Sequence, residues 1–367
     1  MSDLLAILNA YRATEQRHRT AFLATVVNTQ GSTYRRPGAR MLMTNNAQVG
    51  MVSGGCLEND IWEHTKQVAE VGEARVITYD TTIDEDVQWG FGLGCNGVVQ
   101  VLIEQLDRGL INPLTHLADC LRDRLPRVMA TVFAVEGMVS NVKVAQRFIL
   151  HPDYTITTDL TEQSLIEAIS RDAKLVLQQT SPLTQSYHLA TGRIQVLFEV
   201  LQPPPHLTLF GAGQDALPVL QLAKAIGWQV TVVDCRAREA TIQRFSQADQ
   251  VCLAHRNQLS EQITVHAQMI AVVMTHNYLD DFAILKVLLS SPVQYIGVLG
   301  PKHRTGRLLA ELATEININS DRLYAPIGLD IGANTPQEIA IAIIAEIQAV
   351  LSNHGAGFLK QRAGSIH

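Results

Sequence analysis

The chain predicts an α/β protein in two parts: a doubly wound parallel sheet in the carboxyl-terminal half, preceded by a mixed α/β amino-terminal domain. Three observations carry that prediction. From Leu207 onward, short apolar and β-branched runs near 207–210, 229–233, 250–253, 269–274, 294–299 and 322–325 alternate with helical segments, the pattern of strands joined by helical crossovers. The first of these units, Leu207 to Asp234, holds two glycines at the strand-to-helix turn. Just before it, Gln202-Pro203-Pro204-Pro205-His206 is a stiff, strand-breaking spacer that separates two differently patterned regions.

In the carboxyl-terminal half, Leu207 to Phe210 leads into Gly211-Ala212-Gly213-Gln214-Asp215-Ala216, an apolar helix to Ile226, a stop at Gly227 and a second strand ending in Asp234. Gly211 and Gly213 allow a tight turn and close backbone approach, and Ala216 lets the helix pack on the strand. Asp234 lies about 20 positions after the glycines, where a ribose hydroxyl would be held. The unit is Rossmann-like, and NAD or another nucleotide is the ligand it would take. If Asp234 reads the ribose, NAD is favoured over NADP, with Arg236 softening the preference. A last helix is expected over Pro336 to Leu351 within a domain spanning 206–352, followed by a loose tail at 353–367.

The amino-terminal region, 1–202, opens on an amphipathic helix over 3–17 and a strand from Thr20 to Asn28. A loop from Thr29 to Gly38 follows, then a hairpin of Ala39 to Thr44 and Gln48 to Val52 turning on Asn45-Asn46. Ser53-Gly54-Gly55-Cys56-Leu57-Glu58 leads into a helix to about Val71. Beyond it come a strand at Arg75 to Tyr79, an acidic loop at Asp80 to Trp89, the glycine-rich loop Phe91 to Gly97, and a strand at Val98 to Glu104. Much of this returns about a hundred residues later. Ala24-Thr25-Val26, Gly31 and Ala39 are echoed by Ala130-Thr131-Val132, Gly137 and Ala145, and the run Gly97 to Glu104 by Gly192 to Glu199. Either strands share a vocabulary or segments 20–104 and 126–200 descend from a duplication. Opposite the Ser53 to Glu58 loop, the second copy has a plain helix entry at Asp159 to Ser164, so chemistry in this domain belongs to the first copy.

Composition narrows the function classes. With 47% hydrophobic and 17% charged residues the chain is globular, and a net charge of -6 leaves no basic stripe for nucleic acid or an anionic membrane. No signal peptide or membrane span is recognisable, and a cytoplasmic protein is expected. Five cysteines without a CxxC pair argue against a disulfide framework or a structural zinc site, leaving reactivity as the reason for a special cysteine.

Cys56, after two glycines and just before a helix, is either a thiolate stabilised by unpaired N–H groups or a buried structural cysteine in a tight turn. Cys95 sits in the second glycine-rich loop with Gly92 and Gly94. Arg35, Arg36 and Arg40 beside Gly31 and Gly38 suit an anionic ligand or are simply solvated. In the second domain Thr275, His276 and Gly300 follow strands four and five, at the ends where doubly wound sheets bind ligands, and Asp330 precedes the last helix. His276 is a candidate acid, base or ligand, or a hydrogen-bonded loop histidine; Asp330 caps its turn or faces the cleft. No Tyr-Lys or His-Asp catalytic pair stands out, which weighs against the rival reading of an NAD(P)-dependent oxidoreductase. A ligand-sensing regulator lacks a basic DNA-binding helix pair.

Taken together, Gly31-Ser32, Gly38-Ala39-Arg40, Ser53-Gly54-Gly55-Cys56-Leu57-Glu58, Gly92-Leu93-Gly94-Cys95, Phe210-Gly211-Ala212-Gly213, Val233-Asp234-x-Arg236, Thr275-His276, Tyr295-Ile296-Gly297-x-Leu299-Gly300 and Pro326 to Gly332 with Thr335-Pro336-x-Glu338-Ile339-Ala340 resemble the XdhC/CoxI family, the maturation factors of xanthine dehydrogenase and related molybdenum hydroxylases. Gln214 departs from the family pattern, in which many members carry His after the glycine turn. The resemblance implies a chaperone that binds the molybdenum cofactor (molybdopterin), shelters it while a cysteine desulfurase supports its sulfuration, and passes it to the apo-hydroxylase. Carried onto this sequence, it makes Cys56 the metal ligand and favoured cofactor contact, Cys95 the second cofactor contact, and Gly54, Gly55, Glu58 and Arg40 further cofactor-binding residues. The turn at Gly211 to Gly213, with Asp234, Thr275, His276, Gly300 and Asp330, would hold a nucleotide or phosphate portion. A cofactor carrier needs a shielded cleft, so a homodimer with the domains around shared pockets is expected.

Overall fold

The computed structural model describes residues 2–16, 20–45, 47–80, 97–106, 111–179, 182–236, 238–318 and 321–362. The acidic loop after Asp80 and the second glycine-rich loop, with Gly92, Gly94 and Cys95, lie outside the described residues, as does Asn46 of the expected hairpin turn. The chain forms two compact units, Asp3–Pro203 and Pro204–His367.

The amino-terminal unit runs α1 (Ser2–Glu15), β1 (Ala21–Gly31), β2 (Arg40–Thr44), β3 (Ala47–Gly50), α2 (Glu58–Val71), β4 (Arg75–Asp80) and β5 (Gly97–Gln105). The same series then returns as α3 (Pro113–Asp123), β6 (Arg127–Gly137), β7 (Arg147–Leu150), β8 (Ile156–Thr158), α4 (Gln163–Gln179), β9 (Leu183–Leu189) and β10 (Gly192–Leu201). Each series builds a five-stranded antiparallel sheet, in the orders β3-β2-β1-β5-β4 and β8-β7-β6-β10-β9. Details coincide as well. A register shift falls between Val26 and Asn28 in one sheet, and between Gln195 and Val196, opposite Val132 and Ala134, in the other. Gly38 N–H donates to Val26 O as Ala145 N–H does to Val132 O, both at 2.8 Å, and both residues have positive φ (93° and 71°). The spacing expected from sequence is therefore corrected by one: Ala145 answers Gly38, not Ala39, because the second loop is one residue longer. The strand expected to stop at Asn28 continues to Gly31, since Asn28 to Gly31 pair with Gln100 to Gly97.

Each sheet covers its own helix, Ile61 and Val68 of α2 packing with Ala24, Val26, Val101 and Ile103, and Leu165, Ile169 and Val176 of α4 with Val132, Phe148, Val196 and Phe198. The other faces share a core in which Ile7 and Leu8 of α1 and Leu114, Leu117 and Cys120 of α3 meet Leu23, Leu42, Met129 and Ile149. Burial on both faces is why residues Ala21 to Val27 and Val128 to Phe133 read as apolar runs broken only by Thr25 and Thr131 rather than as alternating ones.

The carboxyl-terminal unit is β11 (His206–Phe210), α5 (Ala216–Ala225), β12 (Gln229–Asp234), α6 (Ala240–Arg244), β13 (Gln250–Leu253), α7 (Leu259–Gln262), β14 (Met269–Val273), α8 (Tyr278–Leu289), β15 (Tyr295–Val298), α9 (Lys302–Leu312), β16 (Leu323–Tyr324) and α10 (Pro336–Leu351). All six strands are parallel, in the order β13-β12-β11-β14-β15-β16. The order reverses between β11 and β14, creating the crevice at which open sheets of this kind take ligands. Apolar clusters cover both faces, one built on Leu209, Val232 and Val272 with α5 and α10, the other on Phe210, Val233 and Val273 with α8 and α9. Asn277 caps α8 by accepting from Leu279 N and Asp280 N, and Thr335 with Glu338 forms a capping box on α10. Residues 353–362 are exposed and contain one short turn of 3-10 helix.

Candidate functional site

The loop between β3 and α2 is built around Ser53. Its hydroxyl oxygen accepts from the backbone N–H of Gly55, Cys56 and Leu57, each at 3.1 Å. Glu58, on the first turn of α2, accepts from Ser53 N at 2.9 Å, from the Ser53 hydroxyl, and from Leu57 N at 3.2 Å. Burial raises the pKa of the Glu58 carboxyl, but the hydrogen bonds from the Ser53 hydroxyl and backbone outweigh it and hold the group below its ordinary value. The consequence overturns part of the expectation for Cys56: the N–H groups meant to stand free for a thiolate or a phosphate are occupied by Ser53 and Glu58. What the loop does present is the thiol itself, half-buried, beside an exposed Gly54 and Gly55. Gly55 has φ 107°, a conformation that favours glycine, and a Cβ there would meet nothing within 4 Å. The space next to the Gly55 Cα, one residue before Cys56, is therefore open.

Arg40 is not available to an anionic ligand. Its side chain is buried, donating to Gly38 O at 3.0 Å and to Glu199 Oε2 at 2.6 Å. Arg35 is half-buried and paired with Asp3 at 2.8 Å. Two of the three arginines named from sequence, Arg35 and Arg40, are thus engaged within the unit.

In the carboxyl-terminal unit Asp234 ends a strand of the parallel sheet, and Gly211, Gly213, Thr275, His276, Gly300 and Asp330 follow strands of the same sheet, so all lie at its carboxyl-terminal side. Gly211 has φ 131°, and a Cβ there would stand 2.4 Å from Met274 O across the crevice. Asp234 is buried, accepting from Arg236 N at 3.0 Å and from the Thr241 hydroxyl at 2.6 Å, so its carboxylate organises the turn after β12. Thr275 is buried, its hydroxyl donating to the Asp281 carboxylate and accepting from Asn277 N at 3.1 Å. Arg304 Nη1 lies 2.6 Å from Asp281 Oδ2, an ion pair without hydrogen-bond alignment. Burial pushes the Asp281 carboxyl up, against the pull of Thr275 and Arg304. Gly300 borders Arg304, and Asp330 is exposed on the turn after β16.

The structure also supplies a pair that no motif announces. His276 Nε2 lies 2.7 Å from Asp215 Oδ2, joining the turn after β11 to the end of β14 across the crevice. His276 is exposed and has φ 58°, sparsely populated for a residue with a side chain. Arg236 Nη2 donates to Thr275 O at 3.3 Å and Arg244 Nη1 to Ala212 O at 3.1 Å, bringing two guanidinium groups to the same edge. Ser53 had a local signal, a hydroxyl five residues before a first-turn Glu; Asp215 had none beyond its place just after Gly213, and Arg244 had none.

Among the described residues, no group of three or more His, Cys, Asp or Glu side chains is placed to hold a metal ion, and no helix is long and apolar enough to cross a membrane.

Comparison with known proteins gives family matches in both units. Residues 207–347 match the family described as the XdhC Rossmann domain, and residues 15–80 match the XdhC and CoxI family. A protein of Bacillus subtilis (strain 168), named as a probable subunit of xanthine dehydrogenase, is 32% identical over 330 residues, 89% of this chain and 92% of its own. "Uncharacterized protein YqeB" of Escherichia coli (strain K12) is 24% identical over 265 residues, 68% of this chain and 48% of its own. A crystal structure described as a xanthine dehydrogenase from Bacillus halodurans is similar at a TM-score of 0.77 and 27% identity, covering 96% of this chain and 98% of that one.

Proposed function

Because the chain belongs to the XdhC and CoxI family, whose members and relatives support an accessory role to a xanthine dehydrogenase-type enzyme, we propose that it is a maturation chaperone for the molybdenum cofactor of such a hydroxylase. In this reading it binds the cofactor, protects it while a cysteine desulfurase supports its sulfuration, and delivers it to the client, working as a homodimer. The observation that carries the reading is the Cys56 loop, a half-buried thiol with open space beside it on a hydrogen-bonded scaffold. The donor chemistry fits in part: a soft thiolate suits molybdenum, and Cys56 would hold the metal end. The loop N–H groups do not fit the cofactor's phosphate, because Ser53 takes them, so the phosphate needs donors elsewhere. Bound there, the cofactor would supply the molybdenum centre that the client enzyme uses. Ser53 and Glu58 fix the loop, and the glycines leave the thiol accessible.

The deciding measurement is the molybdenum and pterin content of protein purified from a strain that makes the cofactor. The parent protein retains both, and Cys56→Ser, which replaces a soft ligand by a hard hydroxyl, retains less while folding normally. Full retention and client activation by Cys56→Ser would remove the thiol from the reading. Light scattering at micromolar concentration tests the dimer. An NAD(P)-dependent oxidoreductase is the second reading, favoured by the His276–Asp215 pair and opposed by the engagement of Asp234; turnover of a nicotinamide cofactor with an organic substrate would establish it.

A further inference from the structure

Within the amino-terminal unit, the ends of α2 and β5 in the first repeat face the loop before β7 in the second across a cavity of about 660 Å³. Val68, Leu106, Ile111, Val135, Val142 and Val144 give it apolar walls, and its volume lies in the range of small-molecule pockets. Most of its polar lining is already engaged. Glu104 is paired with Arg147 and Glu73 with Lys143 at 3.7 Å, and the Gln146 amide donates to Asp159 O and accepts from Lys143 N, each at 2.8 Å. Asp159 is different: it is half-buried, and no basic side chain among the described residues lies within ion-pair distance of it. Its Oδ1 accepts from Arg147 N at 2.6 Å, a task for which a neutral amide oxygen would suffice. Burial pushes the Asp159 carboxyl up, against that hydrogen bond and the Arg147 charge, and Glu104 adds to the rise. The first repeat manages without the carboxylate. Phe148 pairs with Thr158 and Met41 with Gly50, so the residue that answers Asp159 is Met51.

We propose that this cavity binds a small organic cation, an amine carried on an apolar or aromatic body, with the ammonium group against Asp159 and the body against the apolar walls. Charge decides the class. With the Glu104–Arg147 and Glu73–Lys143 pairs neutral in sum, Asp159 leaves the lining one negative charge in excess. A cation offsets both that charge and the cost of its partial burial, a neutral molecule fills the walls but leaves the carboxylate uncompensated, and an anion is repelled. The site is separate from the Cys56 loop. Cys56 stands just before α2, whereas Val68 and Gly72 line the cavity at the helix's other end; at about 1.5 Å per residue the 14-residue helix holds the two about 20 Å apart. The second repeat, which has no counterpart of the Cys56 loop, thus contributes a recognition group of its own. The inference goes beyond the maturation reading and does not depend on it.

The test is titration calorimetry of the full chain at neutral pH with tryptamine, tryptophol and indole-3-propionate, which carry one ring system on an ammonium, a hydroxyl and a carboxylate. The variants are Asp159→Asn, which keeps the acceptor for Arg147 N and removes the charge, and Ala74→Leu, which puts a larger side chain into the lining. A contact between opposite charges at a partly buried site is worth about tenfold in affinity. The parent should therefore bind tryptamine at least about tenfold more tightly than tryptophol, with indole-3-propionate weakest. Asp159→Asn should bring tryptamine down to the level of tryptophol, and Ala74→Leu should weaken both. Thermal melting checks that each variant folds, and the ranking of the three probes on the parent needs no variant at all. The proposal is overturned if the parent binds tryptamine no better than tryptophol, if no probe gives heat at millimolar concentration, or if Asp159→Asn keeps the preference for the amine. Unchanged tryptamine affinity in Ala74→Leu would place the amine outside this cavity and overturn it as well. Molybdenum and pterin content is a separate readout, so failure here leaves the maturation reading standing, and the reverse.

Discussion

Arg40 of the first repeat and Glu199 of the second meet at 2.6 Å with both side chains buried, and Arg147 and Glu104 make the reciprocal contact. Each arginine also donates to a carbonyl two residues before it, Gly38 O or Ala145 O, at 3.0 Å. The exchange relates the repeats by an approximate two-fold. We read it as the mark of an old duplication of one α-β-β-β-α-β-β unit, in which the halves came to hold each other through swapped ion pairs.

Breaking one pair leaves an uncompensated buried charge. Glu199→Ala should therefore destabilise the amino-terminal unit by about 3–5 kcal/mol, measured as a drop in the urea midpoint. Replacing both partners, Arg40→Met with Glu199→Leu, should recover most of that loss, because the desolvation cost disappears with the charges. A double variant as unstable as the single one would mean the pair contributes packing that apolar side chains cannot supply.

Glu58 gives the Cys56 loop a pH dependence. Its folded pKa is depressed, since the Ser53 hydrogen bonds outweigh burial. Such a group stabilises the fold above its ordinary value, near about 4.3, and that contribution is lost as pH falls through the lower folded value. Stability should decline below about pH 4.5, and Glu58→Gln should flatten that part of the profile when unfolding is followed by denaturant at a series of pH values. An unchanged acid limb in Glu58→Gln would assign the decline to other carboxylates.

The parallel sheet was legible because its signals are local. A strand, a glycine turn, a helix and the next strand occupy one short run, and the strands from Leu207 to Tyr324 follow the apolar runs closely. The amino-terminal sheets were not legible, because β1 pairs with β5 some seventy residues on and nothing local states that order. Distance also hid the site contacts: Arg40 reads as a loop arginine until Glu199 is placed beside it, and His276 as a lone histidine until Asp215 is. Asp234 also has contacts that the motif spacing does not state: Thr241 and Arg236 N, only a few residues on, each donate to one of its oxygens. A fingerprint records where a carboxylate lies, not which neighbours it holds.

Gly211 and Gly54 should respond very differently to alanine. At Gly211 the new methyl would meet Met274 O at 2.4 Å with the backbone at φ 131°, whereas at Gly54 it would rest 3.8 Å from the Tyr34 ring in ordinary contact. Gly211→Ala should cost more than about 2 kcal/mol by the combination of strain and clash, and Gly54→Ala less than about 1. Thermal unfolding of the two variants compares them directly, and equal losses would show that the crevice backbone yields readily.

The cysteines separate by accessibility, and that ordering bears on the proposed function. Burial pushes the Cys120 thiol up to about 11, and Cys120 is enclosed in the core shared by α1 and α3. Burial, with Asp280 and Asp234 nearby, pushes Cys235 up to about 12, and burial also raises Cys252. At pH 7.5 a thiol near 11 is thiolate in roughly a few parts in ten thousand, and the thiolate is the form that reacts. Cys56 stands half-buried with open space beside it, so iodoacetamide should label it at least about tenfold faster than Cys120 or Cys235, read by mass spectrometry of timed digests. Ser53→Ala removes the acceptor shared by three loop N–H groups and should quicken labelling further by loosening the loop. Protein carrying molybdenum cofactor should label Cys56 more slowly than cofactor-free protein, while the buried cysteines are unchanged. If loaded and empty protein label Cys56 at the same rate, the thiol lies outside the cofactor's footprint, and the donors must be sought in another part of the chain.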